Sequence, residues 1–357
     1  MPGGPGAAPP AWGQSHREDS ADAVHCTGWL RYSEAAVLDG AMEVLRHPAR
    51  GDPRLTRVVL TLGNFDGVHV GHREILGRAI AVARTGGARA GLLTFHPHPA
   101  TVLLPGKAPP LIVPPRGKLK LLAETGIDFV WIVRFSKPFA QLSPEGFIRD
   151  YVMSRVGLVG MVVGYNVSFG KDRAGDSDLL IEIGRRLDFG VEIVGPVTRD
   201  GLRVSSTEVR KALLGGDVAV AGRLLGRPHR IWGRVGHGFQ RGRELGFPTA
   251  NIELGGGLVP LDGVYAVRVA GLDRDRMGIA NIGYKPTFGG TARSLEVHLF
   301  DFEGDLYRRR LRVEFVERLR GEVRFASADE LARQIGRDVE RARAILAAFA
   351  SGESAGR

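Results

Sequence analysis

A buried strand that runs into a glycine-rich turn with two histidines constrains this chain most. Residues 58–62, VVLTL, form the kind of run that is typical of a strand covered on both faces in a parallel sheet. Residues 63–72 read GNFDGVHVGH, and residues 73–84 carry apolar side chains at helical spacing. We therefore predict that His69 and His72 lie in a strand-to-helix turn. In an open parallel sheet such a turn lies at the carboxyl edge, where ligands bind.

The chemistry of this turn favours a phosphate group. Free N–H groups and the positive dipole end at the start of a helix attract anions, and two imidazoles could donate hydrogen bonds to phosphate oxygens. Metal ligation by His69 and His72 is an alternative, and a surface location without a role is another. No Cys or further His stands at ligand spacing, and a glycine-rich turn suits an anion better.

The alternation of apolar runs with helix-like stretches predicts a doubly wound α/β domain, followed by a different architecture. Further strand-like runs in the first part lie at 90–95, 129–133, 158–164 and 191–194, with helices around 117–124, 144–154 and 178–187. Short alternating strands then follow at 229–233, 263–269, 277–280, 295–300 and 311–315, and a last helix spans about 327–349. This second pattern predicts a small antiparallel β-barrel with a C-terminal helix. The predicted division is a disordered extension 1–25, an α/β domain 26–225, a barrel domain 226–350 and a flexible tail 351–357.

Composition limits the classes of protein that remain. The net charge of +10 is spread along the 357 residues, so anionic substrates explain it as well as nucleic acid does, and we expect no nucleic-acid ligand. Cys26 is the single cysteine, which excludes an internal disulfide and fits a reducing cytoplasm. No apolar run reaches the roughly 18–20 residues of a membrane helix, so we expect no membrane partner. Homo-oligomerisation is left open.

Two other predicted strand ends carry polar groups. Asn166 and Phe169 lie in the glycine-flanked stretch GYNVSFG, and the Asn amide could read the edge of a base or a flavin. Ser205, Ser206 and Thr207 precede a helical run as candidate N-caps, and Arg210 lies one turn further on, within reach of a phosphate. Ordinary turns and caps remain alternatives for both stretches.

These stretches together resemble a known family. Residues 63–72 resemble the His-x-Gly-His signature of nucleotidyltransferases and, more specifically, the adenylyltransferase half of bifunctional bacterial riboflavin kinase/FAD synthetases. Residues 164–170 and 205–210 are similar to two further motifs of the family, Gly-x-Asn-x-x-Phe-Gly and Ser-Ser-Thr-x-x-Arg. The resemblance implies catalysis by His69 and His72 and flavin binding by Asn166 and Phe169. It also implies an ATP and phosphate site formed by Gly63, Phe65, Asp66, Gly67, Ser206, Thr207 and Arg210.

The barrel region resembles the riboflavin kinase half of the same family. Its Pro-Thr-Ala-Asn motif supplies Thr249 and Asn251, whose hard oxygen atoms suit Mg²⁺, and the resemblance makes Glu296 the catalytic base. The basic glycine-rich loop before this motif implies phosphate contacts by Gly236, Gly238 and Arg243. Two residues depart from the family pattern: Lys285 stands where Arg is usual, and Arg308 stands where Gly is usual.

The resemblance implies two consecutive reactions. Riboflavin and ATP would give FMN on the barrel, and FMN and ATP would give FAD and pyrophosphate on the α/β domain, with Mg²⁺ as cofactor. One alternative is another nucleotidyltransferase whose barrel is a binding module. Another is a nucleic-acid-binding protein without enzymatic activity.

Overall fold

The first part of the chain forms a six-stranded parallel sheet. In this computed structural model the described residues are 42–236, 247–287 and 290–352, and the side chains of 285–287 and 290–292 fall outside the description. The strand order is β1-β4-β3-β2-β5-β6. The strands are β1 (Glu43–Leu45), β2 (Val58–Leu62), β3 (Arg89–His96), β4 (Phe129–Arg134), β5 (Leu158–Gly164) and β6 (Gly190–Val194). Because β3 and β5 flank β2 on opposite sides, the order reverses at β2, which creates a topological switch point at its carboxyl end.

Helices cover both faces of this sheet. They are α1 (Val70–Thr85), α2 (Pro99–Leu103), α3 (Pro115–Ala123), α4 (Pro144–Gly146) continued by a π-helical segment (Phe147–Met153), α5 (Ser177–Leu187), α6 (Ser206–Leu214) and α7 (Val218–Leu225). Short 3₁₀ turns lie at Pro53–Leu55, Phe139–Gln141 and Lys171–Arg173, and β7 (Thr198–Arg199) pairs with β8 (Leu202–Arg203). Val59 packs in one apolar core and Leu60 in the other. Burial on both faces explains why β2 is a continuous apolar run.

The second part of the chain is a closed antiparallel barrel of six strands. The strands are β9 (His229–Gly236), β10 (Ala250–Ile252), β11 (Gly263–Ala270), β12 (Arg276–Thr287), β13 (Gly290–Leu299) and β14 (Arg310–Arg320). The last helix, α8 (Ala328–Ala350), begins after an N-cap at Ser327 and packs Ala342 and Leu346 against the barrel. Closure leaves no strand edge exposed to pair with another chain.

The two parts are joined by direct contacts. Leu258 N–H in the barrel part donates to the carbonyl of Leu111 at 2.8 Å, and Leu261 N–H donates to the carbonyl of Leu213 at 3.0 Å. Arg230 of β9 pairs with Glu124 at the end of α3 at 2.8 Å. The segment before α3 and the end of α6 are therefore held against the barrel.

The predicted fold class is confirmed, with differences at element ends. The helix after the histidine turn begins at Val70 and not at Arg73, because the His69 side chain caps it. The edge strand β1 and the β7–β8 hairpin were not predicted. The division into domains stays a prediction, and the proposed extension 1–25 lies outside the described residues, as does 353–357 of the tail. Within the described ranges, no helix is long and apolar enough to span a membrane.

Candidate active sites

The turn after β2 has a tightly constrained backbone. Phe65 and Val68 adopt φ values of 49° and 44°, in the left-handed region that L-residues rarely occupy, and Gly67 has a φ of 85°. A Cβ on Gly63 would lie 3.0 Å from the Phe65 ring, and one on Gly67 would lie 3.0 Å from the Ile112 side chain. The left-handed backbone at Gly67 favours glycine, and a Cβ at either position would force a neighbouring side chain to move. Val68 is held in a strained conformation by its surroundings.

His69 is the N-cap of α1, and this fixes the position of its proton. The backbone N–H of His72 donates to Nδ1 of His69 at 3.2 Å. Nδ1 is thus an acceptor, so the neutral ring carries its hydrogen on Nε2. Burial, with the charge of Arg227 and more weakly that of Arg210, lowers the pKa of His69 to about 4. At neutral pH the turn therefore presents an uncharged imidazole with an Nε2–H donor.

His72 lies between two other rings. Its ring stacks on His69 at a centroid distance of 3.5 Å and on Phe65 at 4.5 Å. Burial, and then the charges of His69, Lys118 and Arg227, hold the pKa of His72 well below its usual value. Its Nδ1 atom is buried and has no hydrogen-bond partner within the described structure. A bound group that offers a polar atom to this nitrogen would satisfy it.

Asp66 connects the turn to two distant segments. Its carboxylate accepts the N–H of Ile112 at 3.0 and 3.1 Å, and it pairs with Arg210 Nη2 at 2.6 Å. The Ser206 hydroxyl donates to the Asp66 carbonyl at 3.0 Å. The start of α6 is therefore fixed beside the start of α1, and two positive helix ends meet at the turn. The Asp66 carboxylate orients the Arg210 guanidinium, and the phosphate-binding role of Arg210 stays a prediction.

Lys118 of α3 is a site residue that the sequence did not suggest. Its ammonium donates to the carbonyl of Asn64 at 3.0 Å and to the Thr94 hydroxyl at 3.2 Å. Burial lowers its pKa to about 8, although Asp66 acts in the opposite direction. Lys118 lines a cavity of about 30 Å³ together with Asn64, Asp66, Thr94, His96 and His98. A lysine at helical spacing carries no sequence signal that distinguishes it from a surface residue.

The remaining α/β candidates are less closely grouped. Thr207 is exposed in the first turn of α6, whereas the N-cap of this helix is Ser205, whose hydroxyl accepts from Glu208 N–H. Asn166 is exposed after β5. Phe169 is buried, and its ring lies 6.1 Å from that of Phe147. The flavin-binding roles of Asn166 and Phe169 stay predictions, and Phe169 packs in the core in this structure.

The barrel aligns a carboxylate with two amides. Glu296 of β13 lies directly opposite Asn251 of β10 on one side and Asn281 of β12 on the other. Directly opposed residues in antiparallel strands have Cβ atoms about 5 Å apart, so the three side chains form one row. Glu296 shares its face of β13 with His298, whose Nδ1–H donates to the carbonyl of Pro248 at 2.9 Å. This bond fixes the segment that leads into Thr249.

Asn251 of this row also lines a cavity of about 590 Å³, whereas Glu296 and Asn281 are not among the residues of its lining. Its lining includes Gly236, Thr249, Asn251, Val297, Leu299 and the loop 302–307. Gly238 and Arg243 lie outside the described residues, as does the side chain of Lys285. Arg308 has a φ of 63° and donates its N–H to the carbonyl of Val235 at 3.0 Å. Arginine therefore takes the left-handed conformation that a glycine would adopt easily.

Thr249 and Asn251 offer oxygen atoms that fit a hard cation such as magnesium. Two residues apart near the start of β10, they lie on the same side of the strand and offer a hydroxyl and an amide oxygen. Across the described ranges, no cluster of three or more His, Cys, Asp or Glu side chains forms a metal cage. Magnesium commonly binds few protein oxygens and completes its coordination shell with water and phosphate oxygens. One hydroxyl and one amide oxygen are consistent with this coordination.

Two family models match the chain, one over each part. The FAD synthetase model matches residues 52–208, and the riboflavin kinase model matches residues 225–346. The first range contains the histidine turn, Ser206 and Thr207 and ends two residues before Arg210. The second contains Thr249, Asn251 and Glu296. The matches define a two-module flavin-cofactor enzyme class in which ATP is a substrate.

Relatives that match over both modules identify the family. The bifunctional riboflavin kinase/FMN adenylyltransferase of Escherichia coli K12 is 43% identical over 281 residues, which cover 78% of this chain and 90% of that protein. The Pseudomonas fluorescens protein of the same name is 43% identical over 307 residues, covering 86% and 98%. A crystal structure described as a macrolide-efflux protein from Streptococcus pneumoniae aligns with a TM-score of 0.77 at 33% identity, over 85% of this chain and 99% of that one. The chain belongs to the family of bifunctional riboflavin kinases/FMN adenylyltransferases.

Proposed function

We propose that the barrel phosphorylates riboflavin with ATP and that the parallel-sheet module adenylylates the resulting FMN, releasing pyrophosphate. One observation carries this division of labour. The histidine turn lies at the carboxyl edge of the parallel sheet, whereas the row around Glu296 lies on the barrel, so each reaction has its own set of polar groups.

In the adenylylation step, a phosphate oxygen of FMN attacks the α-phosphorus of ATP and the bond to the bridging oxygen of pyrophosphate breaks. The Nε2–H of His69 donates to a phosphate oxygen on which negative charge builds up, and His72 supports the same region from the neighbouring turn of α1. Neutral donors suit this task because they bind the oxygen without transferring a proton to it. No covalent intermediate is required.

The other predicted residues of this module bind substrates. Gly63 and Gly67 let the backbone approach the triphosphate, and Phe65 supports the imidazole stack. Ser206, Thr207 and Arg210 hold the leaving pyrophosphate at the start of α6, where the helix dipole adds to the charge of the guanidinium. Asp66 contributes by orienting Arg210. Asn166 and Phe169 are our candidates for contact with the flavin.

In the phosphorylation step, Glu296 accepts the proton of the terminal riboflavin hydroxyl as its oxygen attacks the γ-phosphorus of ATP, with ADP as the leaving group. Thr249 and Asn251 would hold Mg²⁺, which neutralises phosphate charge when bound. Gly236, Gly238 and Arg243 are candidate phosphate contacts.

Two broader expectations complete the proposal. The single cysteine, Cys26, fits a reducing cytoplasmic location. We expect riboflavin, FMN and ATP as partners, without nucleic acid, and mass measurement in solution will decide whether the chain forms a homo-oligomer.

The test supplies the purified chain with riboflavin, ATP and Mg²⁺ and separates the flavins over time. His69→Ala should lower the rate of FAD formation by about 10²–10³-fold and leave FMN formation unchanged. Glu296→Gln should lower FMN formation by about 10²–10⁴-fold and still convert supplied FMN to FAD. Each variant serves as the folding control for the other. Equal loss of both reactions in both folded variants would contradict one reaction per module.

A further inference from the structure

The linker between the two modules lies directly on the histidine turn. Helix α7 ends at Leu225, Gly226 caps it in the left-handed conformation, and β9 begins at His229. A Cβ on Gly226 would lie 3.0 Å from the side chain of Val70, the first residue of α1. The FAD synthetase model ends at residue 208 and the kinase model begins at 225, so this linker falls in the kinase range.

Arg227 of this linker holds two consecutive carbonyls of the turn. Its Nη2 donates to the carbonyl of Gly67 at 2.7 Å, and its Nη1 donates to the carbonyl of Val68 at 3.4 Å and to that of Leu225 at 3.1 Å. Gly67 and Val68 are the two residues before His69, and both have left-handed backbones. A β-branched residue in this conformation persists only where neighbouring groups enforce it. The planar guanidinium is suited to holding both carbonyls at once.

The charge of Arg227 also acts on both histidines. It lowers the pKa of His69 and His72, alongside the larger effect of burial. Arg210 from α6 also lowers the pKa of His69, and Lys118 from α3 also lowers that of His72. Asp66 of the turn pairs with Arg210. Burial lowers the pKa of Arg227 to about 9, so Arg227 remains a cation at neutral pH.

We infer that Arg227 is a positioning residue for nucleotidyl transfer, although it lies in the range matched by the kinase model. It fixes the carbonyls of Gly67 and Val68 and thereby the direction in which the Nε2–H of His69 points. This inference rests on the proposed role of His69. Arg227 does not line the barrel cavity beside Asn251, so riboflavin phosphorylation should not depend on it.

Arg230 provides a matched control. It lies three residues further on and also joins the two modules, through Glu124 at 2.8 Å, and it pairs with Glu314 of the barrel itself at 2.9 Å. Its side-chain hydrogen bonds within the described part of the chain go to these two carboxylates, which lie outside the histidine turn. A loss of activity that came only from weakened contact between the modules would therefore appear in variants at both positions.

The experiment compares the native full-length chain with Arg227→Met, Arg227→Lys and Arg230→Met. Arg227→Met should lower kcat for FAD formation from FMN by about ten-fold or more, with a smaller change in KM for ATP and with FMN formation from riboflavin within about two-fold of native. Arg227→Lys keeps the positive charge but not the planar, two-pronged guanidinium, so kcat for FAD formation should fall by about three-fold or more. In the Arg227→Met protein, the acid limb of the pH–rate profile for FAD formation should also move to higher pH. The reason is that loss of a nearby cation raises the pKa of the histidines. Arg230→Met should keep the native kcat for FAD formation.

A native kcat for FAD formation in Arg227→Met would overturn the inference, as would an equal loss in Arg230→Met. If Arg227→Met proves unfolded, shown by loss of riboflavin phosphorylation, Arg227→Lys decides, and a native kcat there overturns the inference. A native chain that makes FMN but no FAD would instead refute the proposed adenylylation, and the inference with it.

Discussion

Protonation of His69 should be strongly disfavoured in the folded protein, and this prediction tests the geometry of the histidine turn. A proton on Nδ1 would face the N–H of His72 that this atom accepts, and would therefore remove the cap of α1. The positive end of the helix and the nearby guanidinium of Arg227 oppose the charge as well. His69 is only 6% exposed, so water offers little compensation.

The magnitude follows from the change in pKa. A fall from 6.5 to about 4 corresponds to about 3 kcal/mol of preference for the neutral ring. At pH 7 about one folded molecule in a thousand would carry the proton on His69. Because the pKa is lower in the folded than in the unfolded chain, the unfolded chain binds more protons between pH 6.5 and 4. The free energy of unfolding should therefore decrease with falling pH in this range, by about 2 kcal/mol between pH 7 and pH 5 from His69 alone.

NMR titration of histidine-labelled protein measures this directly. The signals of His69 and His72 are identified by their loss in His69→Gln and His72→Gln. The His69 signal should stay in the neutral position down to about pH 5, and the pKa of His72 should also lie below its usual value. Protonation of His69 should likewise cause no decline in the rate of FAD formation near pH 6.5. Any decline that the native chain shows near this pH should therefore persist in His69→Gln. A His69 signal that titrates near 6.5 would refute both the buried cap and the assignment of the Nε2–H donor.

Two further predictions concern single positions. The pKa of Lys118 is about 8, so the rate of FAD formation should fall above this pH as the cation is lost. Lys118→Met should have a rate about ten-fold lower at every pH and should not show this decline. Identical pH–rate profiles for the two proteins would exclude a role for Lys118. Arg308→Gly should leave the free energy of unfolding of the barrel unchanged or raise it, because the φ of 63° suits glycine. Arg309 lies outside the left-handed region, so Arg309→Gly should lower the free energy of unfolding by about 1 kcal/mol. The opposite order in a melting experiment would contradict this account of the turn.

Much of the architecture could be predicted because its signals are local. The run 58–62 is apolar on both sides of the strand, and alternate residues do enter different cores. The change from strand–helix alternation to short strands separated the parallel sheet from the barrel. The position of Glu296 between Asn251 and Asn281 could not be read from the sequence, because strand register depends on pairing between distant segments.

Several contacts of the candidate site lacked any local signal. Asp66 pairs with Arg210 across 144 positions, and the sequence suggested only that both lie near phosphate. Lys118 and Arg227 belong to no motif that we recognised, and their contacts arise from the way α3 and the linker pack. His69 was expected in the turn, but its use as a cap was not, since Ser, Thr, Asp and Asn are the usual N-cap residues.

The hydrogen bonds that fix the histidine turn join residues that are synthesised far apart in time. Ser206 follows Asp66 by 140 positions, and Arg227 follows Gly67 by 160. A ribosome that has translated β2 to β5 has delivered both histidines, but not the groups that hold their backbone in place. The turn can acquire its full set of bonds only after residue 227 has left the exit tunnel. Nascent chains shorter than this therefore carry the His-x-Gly-His motif before its backbone has all the hydrogen bonds that fix it.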